Sequence, residues 1–176
     1  MNSMFSLCRT FNSVLNWDTS SVIDMRGMFS GCITFNQPLN WDTSNVTDMI
    51  VMFAGCTSFN SELNFNTKNV TNMNYMFAYC INFNSELIFD TSSVTNMSCM
   101  FYRCENFNSE LNWNTSSVTD MNEMFYDCRQ FDQELNWIIL QNTNTDDMFF
   151  NTRGARINFD PNNYHPYPDN NGPILK

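Results

Sequence analysis

The sequence predicts an α/β repeat solenoid, a right-handed superhelix of stacked coils with a parallel sheet on one face and short helices on the other. Three observations predict it. The first is an unbroken step of 24 residues: Met-Phe recurs at Met4-Phe5, Met28-Phe29, Met52-Phe53, Met76-Phe77, Met100-Phe101, Met124-Phe125 and Met148-Phe149. A unit this short cannot bury its own apolar side and must stack on its neighbours. The second is strict alternation of apolar and polar residues through Leu39-Asn40-Trp41-Asp42-Thr43, the period of a strand. The third is Val46, Met49, Met52, Phe53 and Cys56, whose spacing lines one face of a helix.

Each element of the unit follows from its residues. Leu39, Trp41 and Thr43 face inward, and Pro38, Asn40 and Asp42 face outward. Ser44 or Asn45 serves as helix N-cap, with Asp48 near capping-box spacing. Gly55 sits where the helix should stop, and Phe59 returns the chain to the core. Stacked strands then form one parallel sheet at about 4.8 Å spacing, and helical crossovers make the superhelix right-handed. Rows at Cys8, Cys32, Cys56, Cys80, Cys104 and Cys128, at Phe11 to Phe131, and at Leu15 to Leu135 keep the same step. Residues 1–160 are thus expected to form a single unit. It comprises six repeats over 4–147 and a capping strand at about 157–160, where Ile157-Asn158-Phe159-Asp160 restates the strand motif. Residues 161–176, rich in Asn, Pro and Tyr, read as an extended tail.

Composition excludes several function classes. Eighteen acidic residues against eight basic ones give a net charge of −10, which opposes nucleic acid or an anionic membrane as direct partner. No apolar run is long enough to span a bilayer, so no membrane insertion is expected. The chain opens without a basic, then apolar, signal segment. Cytosolic or virion-associated placement is expected unless the chain is a fragment of a surface protein.

The unit resembles the BspA-like leucine-rich repeat family, and within it the mycoplasma lipoprotein-type repeat. The resemblance rests on Phe35-Asn36-Gln37-Pro38-Leu39-Asn40-Trp41-Asp42-Thr43-Ser44-Asn45-Val46-Thr47-Asp48-Met49, then Met52-Phe53 and Cys56. It implies a leucine-rich-repeat-like solenoid used for protein–protein or adhesive contact. This chain has one residue fewer before the Trp, which predicts a tighter bend.

Candidate chemistry is sparse. One histidine, His165, lies in the tail, and no nucleophile–base pair, phosphate loop or metal cluster is evident, so no catalytic, cofactor or metal residues are assigned and the chain reads as a non-enzyme. The cysteine ladder gives one thiol per coil, unlike the paired spacing of zinc sites, and reads as core. Cys99 falls at a variable position and is expected to be exposed. The asparagines Asn12, Asn36, Asn60, Asn84 and Asn108 are expected to satisfy backbone groups at bends. Four matches to glycosylation acceptors, such as Asn45-Val46-Thr47, arise from the repeat itself.

Two surfaces remain. Glu62, Glu86, Glu110 and Glu134 align on successive coils and share an outward face with Asn40, Asp42, Asn64, Asp90 and Asn112, the candidate face for a protein partner. Like charges stacked across strands cost stability, and a basic partner segment or a cation would offset that cost. At the start of the array, Phe5, Phe11, Leu15 and Trp17 form a candidate interface for self-association. The expected function is a non-catalytic protein–protein interaction or adhesion module. The alternative is a structural subunit of a virion or surface layer joined through that first coil.

Overall fold

The computed structural model describes residues 1–158. It corrects the α/β solenoid expected from the sequence. Among the described residues there is no helix, and the two strands, β1 (Glu134–Leu135) and β2 (Arg156–Ile157), are two residues long. They pair in parallel, Glu134 opposite Arg156 and Leu135 opposite Ile157. The leucine-rich-repeat sheet and helices are therefore absent among the described residues, and the right-handed superhelix loses the helical crossovers that motivated it. β2 overlaps the place expected for a capping strand. Phe159 and Asp160, and the tail expected over 161–176, lie outside the described residues.

Turns stacked in register replace the helices. In the segment expected to be helical, Met52 N–H donates to the Met49 carbonyl at 3.2 Å and Cys56 N–H to the Phe53 carbonyl at 2.9 Å. The third residue of each turn, Val51 and Gly55, has a positive φ of 59° and 75°, as a type II turn requires. A right-handed helix cannot contain two such residues four apart. Every N–H from Met49 to Cys56 is nevertheless satisfied. Those of Met49, Val51, Phe53 and Gly55 donate to Asn72, Asn74, Met76 and Ala78 on the next coil at 2.7–3.2 Å. Those of Met52, Ala54 and Cys56 close turns, and that of Ile50 meets Asp48 Oδ1 at 3.0 Å. Tertiary stacking thus takes the donors that a helix would have used locally.

This ladder repeats along the chain. Positive φ recurs at Ser3, Gly27, Val51, Tyr75, Cys99, Glu123 and Asp147, and again at Leu7, Gly31, Gly55, Tyr79, Arg103, Asp127 and Asn151. Parallel bridges run Asp24↔Asp48↔Asn72↔Asn96↔Asp120↔Asn144. In each of these six residues the side-chain Oδ1 also accepts the N–H two residues on, at 2.9–3.1 Å. Such Asx turns suit Asp and Asn equally, which is why both occupy the row.

The core is a set of ring and thioether rows. Phe5, Phe29, Phe53, Phe77, Phe101, Phe125 and Phe149 stack at 5.5–5.7 Å between centroids. A second row, Phe11 to Phe131, stacks at 5.6–5.9 Å. Val46, Met49, Met52, Phe53 and Cys56 are all fully buried. The residues assigned to the inward helix face do point inward, on a backbone that is not helical.

Candidate functional site

The outward side of the Leu-Asn-Trp-Asp-Thr segments forms the candidate partner face. Leu39, Trp41 and Thr43 are buried while Asn40 and Asp42 are exposed, and the same alternation holds at Leu63 to Thr67, Leu87 to Thr91 and Leu111 to Thr115. Glu62, Glu86, Glu110, Glu134, Asn64, Asp90 and Asn112 are all exposed. Every residue assigned to this face is thus exposed, in alternation with buried neighbours.

Side chains hold this side together. The buried hydroxyls of Thr19, Thr43, Thr67, Thr91 and Thr115 donate to carbonyls of Asp42, Asn66, Asp90, Asn114 and Ile138 on the next coil at 2.8–3.1 Å. The indole N–H groups of Trp41, Trp113 and Trp137 donate to the carbonyls of Leu15, Leu87 and Leu111 at 3.0–3.3 Å. Asn12, Asn36, Asn60, Asn84 and Asn108 each accept, through Oδ1, the backbone N–H one coil on at 2.7–2.9 Å. The asparagine row is accordingly a structural ladder.

The acidic residues of the face divide in two. Asp42 Oδ1 accepts the Ser44 N–H at 2.9 Å, and Asp90 Oδ1 accepts the Ser92 N–H at 3.1 Å and the Ser92 hydroxyl at 2.6 Å. Hydrogen bonds from these serines hold both carboxyls below the usual carboxylate range. These aspartates are partly committed to turns. Glu62, Glu86 and Glu110 make no hydrogen bond or ion pair among the described residues, whereas Glu134 pairs with Arg156 at 2.9 Å. Between the last two glutamates lies a groove of about 550 Å³, lined by Glu110, Asn112, Trp113, Gln133, Glu134 and Asn136 among others.

The first coil is less open than its sequence suggests. Leu15 is buried, Phe5 and Phe11 are half-buried, and Trp17 is exposed. Met4, Leu7 and Val14 are more exposed, at 53%, 69% and 56%.

The thiols are structural donors. Cys32, Cys56, Cys80, Cys104 and Cys128 lie 2.9–3.0 Å from the carbonyls of Phe5, Phe29, Phe53, Phe77 and Phe101 on the preceding coil. Burial pushes the Cys32 thiol up to about 11 and also pushes the next four above the usual thiol range. Cys99 corrects its expected exposure: it is 4% exposed, with Sγ 3.5 Å from Glu123 Oε2. Burial pushes it up to about 11 as well. Among the described residues no group of three or more His, Cys, Asp and Glu side chains is placed to hold a metal ion. Among the same residues no helix is long and apolar enough to cross a membrane.

One surface escaped the sequence reading. Tyr102, Tyr126 and Phe150 stack at 5.0 and 4.6 Å on the outside of the turn edge. Tyr79 leans on Tyr102, and the Arg103 guanidinium lies 5.6 Å from the Tyr102 ring centroid. Tyr102, Tyr126 and Phe150 share the 24-residue step, which was the available signal.

A family model described as Mycoplasma protein of unknown function, DUF285, matches residues 1–87 and again residues 63–163. The chain belongs to this family. No curated protein and no solved structure matches it. The DUF285 match spans the turn edge, both phenylalanine rows and the glutamate face together.

Proposed function

We propose that this DUF285 chain is a non-catalytic binding module whose glutamate face docks a basic segment of a partner protein. The observation that carries the reading is the row Glu62, Glu86, Glu110 and Glu134, exposed on successive coils and spent on no turn. Three of the four have no cation among the described residues. Stacked like charges destabilise a face that has no counter-charge, so a basic ligand gains both the attraction and the relief of that repulsion. The groove between Glu110 and Glu134 gives side chains of such a segment a place to lodge. The match to a Mycoplasma family and the resemblance of the repeat to BspA-like surface proteins support an interaction or adhesion role.

The test is titration calorimetry with an extended lysine-rich peptide at low and high salt. Binding is expected at low salt, weakening as salt rises. Glu86→Lys with Glu110→Lys abolishes it without lowering the thermal melt. Glu123→Lys with Asp146→Lys, which reverses two charges on the turn edge, away from the row, preserves most of it. Equal loss in both double variants overturns the assignment, because net charge alone would then explain binding.

A further inference from the structure

The two ends of the described stack carry complementary halves of one hydrogen-bond ladder. Inside the stack, the N–H groups of Met121, Glu123, Phe125 and Asp127 donate to the carbonyls of Asn144, Asp146, Met148 and Phe150 at 2.8–2.9 Å. On the last turn edge the equivalent donors are Thr145, Asp147, Phe149 and Asn151, and none has an acceptor among the described residues. At the opposite end Ser3, Phe5 and Leu7 donate forward to Arg26, Met28 and Ser30 at 2.6–2.9 Å. The carbonyls that face the other way, those of Asn2, Met4 and Ser6, accept nothing among the described residues. The 24-residue register sets Asp147 against Asn2, Phe149 against Met4, and Asn151 against Ser6.

The ring row ends in the same way. Phe5 and Phe149 are its terminal members, and both are half-buried whereas the five between them are fully buried. Cys8, unlike the five buried thiols of its row, is exposed. Its carbonyl partner, by the pattern of the row, would be that of Phe149.

We propose that a second copy of this chain stacks head to tail on the first. Asp147, Phe149 and Asn151 of one copy donate to Asn2, Met4 and Ser6 of the next, and the Phe5 ring continues the phenylalanine row. The contact also covers apolar side chains that the single chain leaves out, with Met4, Leu7 and Phe150 each more than half exposed. The match is confined to the turn edge, because β2 pairs with β1 at a step of 22 residues instead of 24. Such a contact joins two different surfaces, so it passes from copy to copy into an open chain or a ring and does not form a two-fold dimer. It does not rest on the glutamate-face reading. Copies of net charge −10 repel, so added salt strengthens this association, the opposite of its effect on a basic peptide.

Size-exclusion chromatography with light scattering, across protein concentration and salt, reads the mass directly. The expected result is a mass that climbs through multiples of the monomer as concentration and salt rise. Leu7→Asp blocks the starting end and Phe150→Asp the final end, and each alone stays monomeric. Their equimolar mixture gives dimers and nothing larger, since each variant keeps one working end. Met4→Asp and Asn151→Lys repeat the experiment at second positions, and circular dichroism verifies that all four fold. A monomer at every concentration and salt overturns the proposal. So does association of either folded single variant with itself, or a mixture that stays monomeric.

Discussion

The turn edge, Asp24 to Cys32 and its equivalents, and the Leu-Asn-Trp-Asp-Thr side of the same coils are held together by different parts of the chain. On the turn edge, backbone donates to backbone: Met25, Gly27, Phe29 and Gly31 reach Asp48, Ile50, Met52 and Ala54. On the other side the parallel bridges are Leu39↔Leu63 and the β1–β2 pair, and the hydroxyl, indole and amide ladders make most of the connections. Ring spacing follows. Phenylalanines of the turn edge sit 5.5–5.7 Å apart, whereas Trp17–Trp41, Phe89–Trp113 and Trp113–Trp137 sit 6.0–6.2 Å apart. A backbone ladder tolerates sequence change, because every residue but proline supplies it. A side-chain ladder needs particular residue types: the threonine row is unbroken from Thr19 to Thr115 and the indole row lapses where Phe65 and Phe89 replace Trp, while the positive-φ row runs through Ser, Gly, Val, Tyr, Cys, Glu and Asp.

Removing rings should disturb this contrast most. Phe77→Ala on the turn edge should cost about 3–5 kcal/mol, within the usual range for a fully buried aromatic. Phe89→Ala, on the wider side, should cost less. Urea unfolding midpoints of the two variants measure the difference, and equal losses would show that both sides pack alike.

Backbone strain comes next. Gly55→Val forces a branched residue to φ of 75°, where its Cβ meets only ordinary contacts with Gly31 at 3.6 Å. The expected loss is about 1–2 kcal/mol and comes from conformation, not crowding. Val51→Gly, in the same coil, should gain up to about 1 kcal/mol by relieving the same left-handed strain. A gain for Gly55→Val in the same urea assay would contradict the positive φ.

Trp113→Phe isolates the side-chain ladder on the wider side. It removes the indole donor to Leu87 and keeps a stacked ring. A loss of about 1 kcal/mol in the unfolding free energy is expected, typical of one hydrogen bond.

The smallest effect concerns Asp24. Hydrogen bonds from Arg26 hold its carboxyl down at about 2. A depressed carboxyl contributes stability above its unfolded value of about 4, and that contribution is lost as pH falls toward 2. Both partners are partly exposed, so Asp24→Asn should cost less than about 1 kcal/mol at neutral pH. The amide introduced by this substitution would keep the Asx turn, as Asn72 does in its own coil. Thermal melts at pH 7 and pH 2 should therefore separate wild type from variant at the first pH only.

Much of the interior was legible in the sequence. The 24-residue step named the buried rows, and the alternation at Leu39 to Thr43 named the exposed face with its glutamates. The helix expected over Val46 to Cys56 failed because three- and four-residue spacing of apolar side chains marks a face, not a hydrogen-bond pattern. Stacked type II turns place Val46, Met49, Met52, Phe53 and Cys56 on the same side. Glycine would have betrayed the left-handed positions, but it occupies only Gly27, Gly31 and Gly55, and Gly55 alone looked like a helix end. The groove between Glu110 and Glu134 and the burial of Cys99 needed coordinates, because each joins residues one coil apart whose lateral distance no spacing gives.

The repeat length, the identity of the core rows and the acidic sign of one face all follow from the order of the amino acids. Each depends on side-chain type at a fixed period, and period survives whatever backbone carries it. The backbone conformation does not follow, because it was settled by contacts between coils. Once identical coils lie in register, alternate N–H groups find carbonyls on the neighbouring coil, and those bonds outcompete the local ones a helix would need.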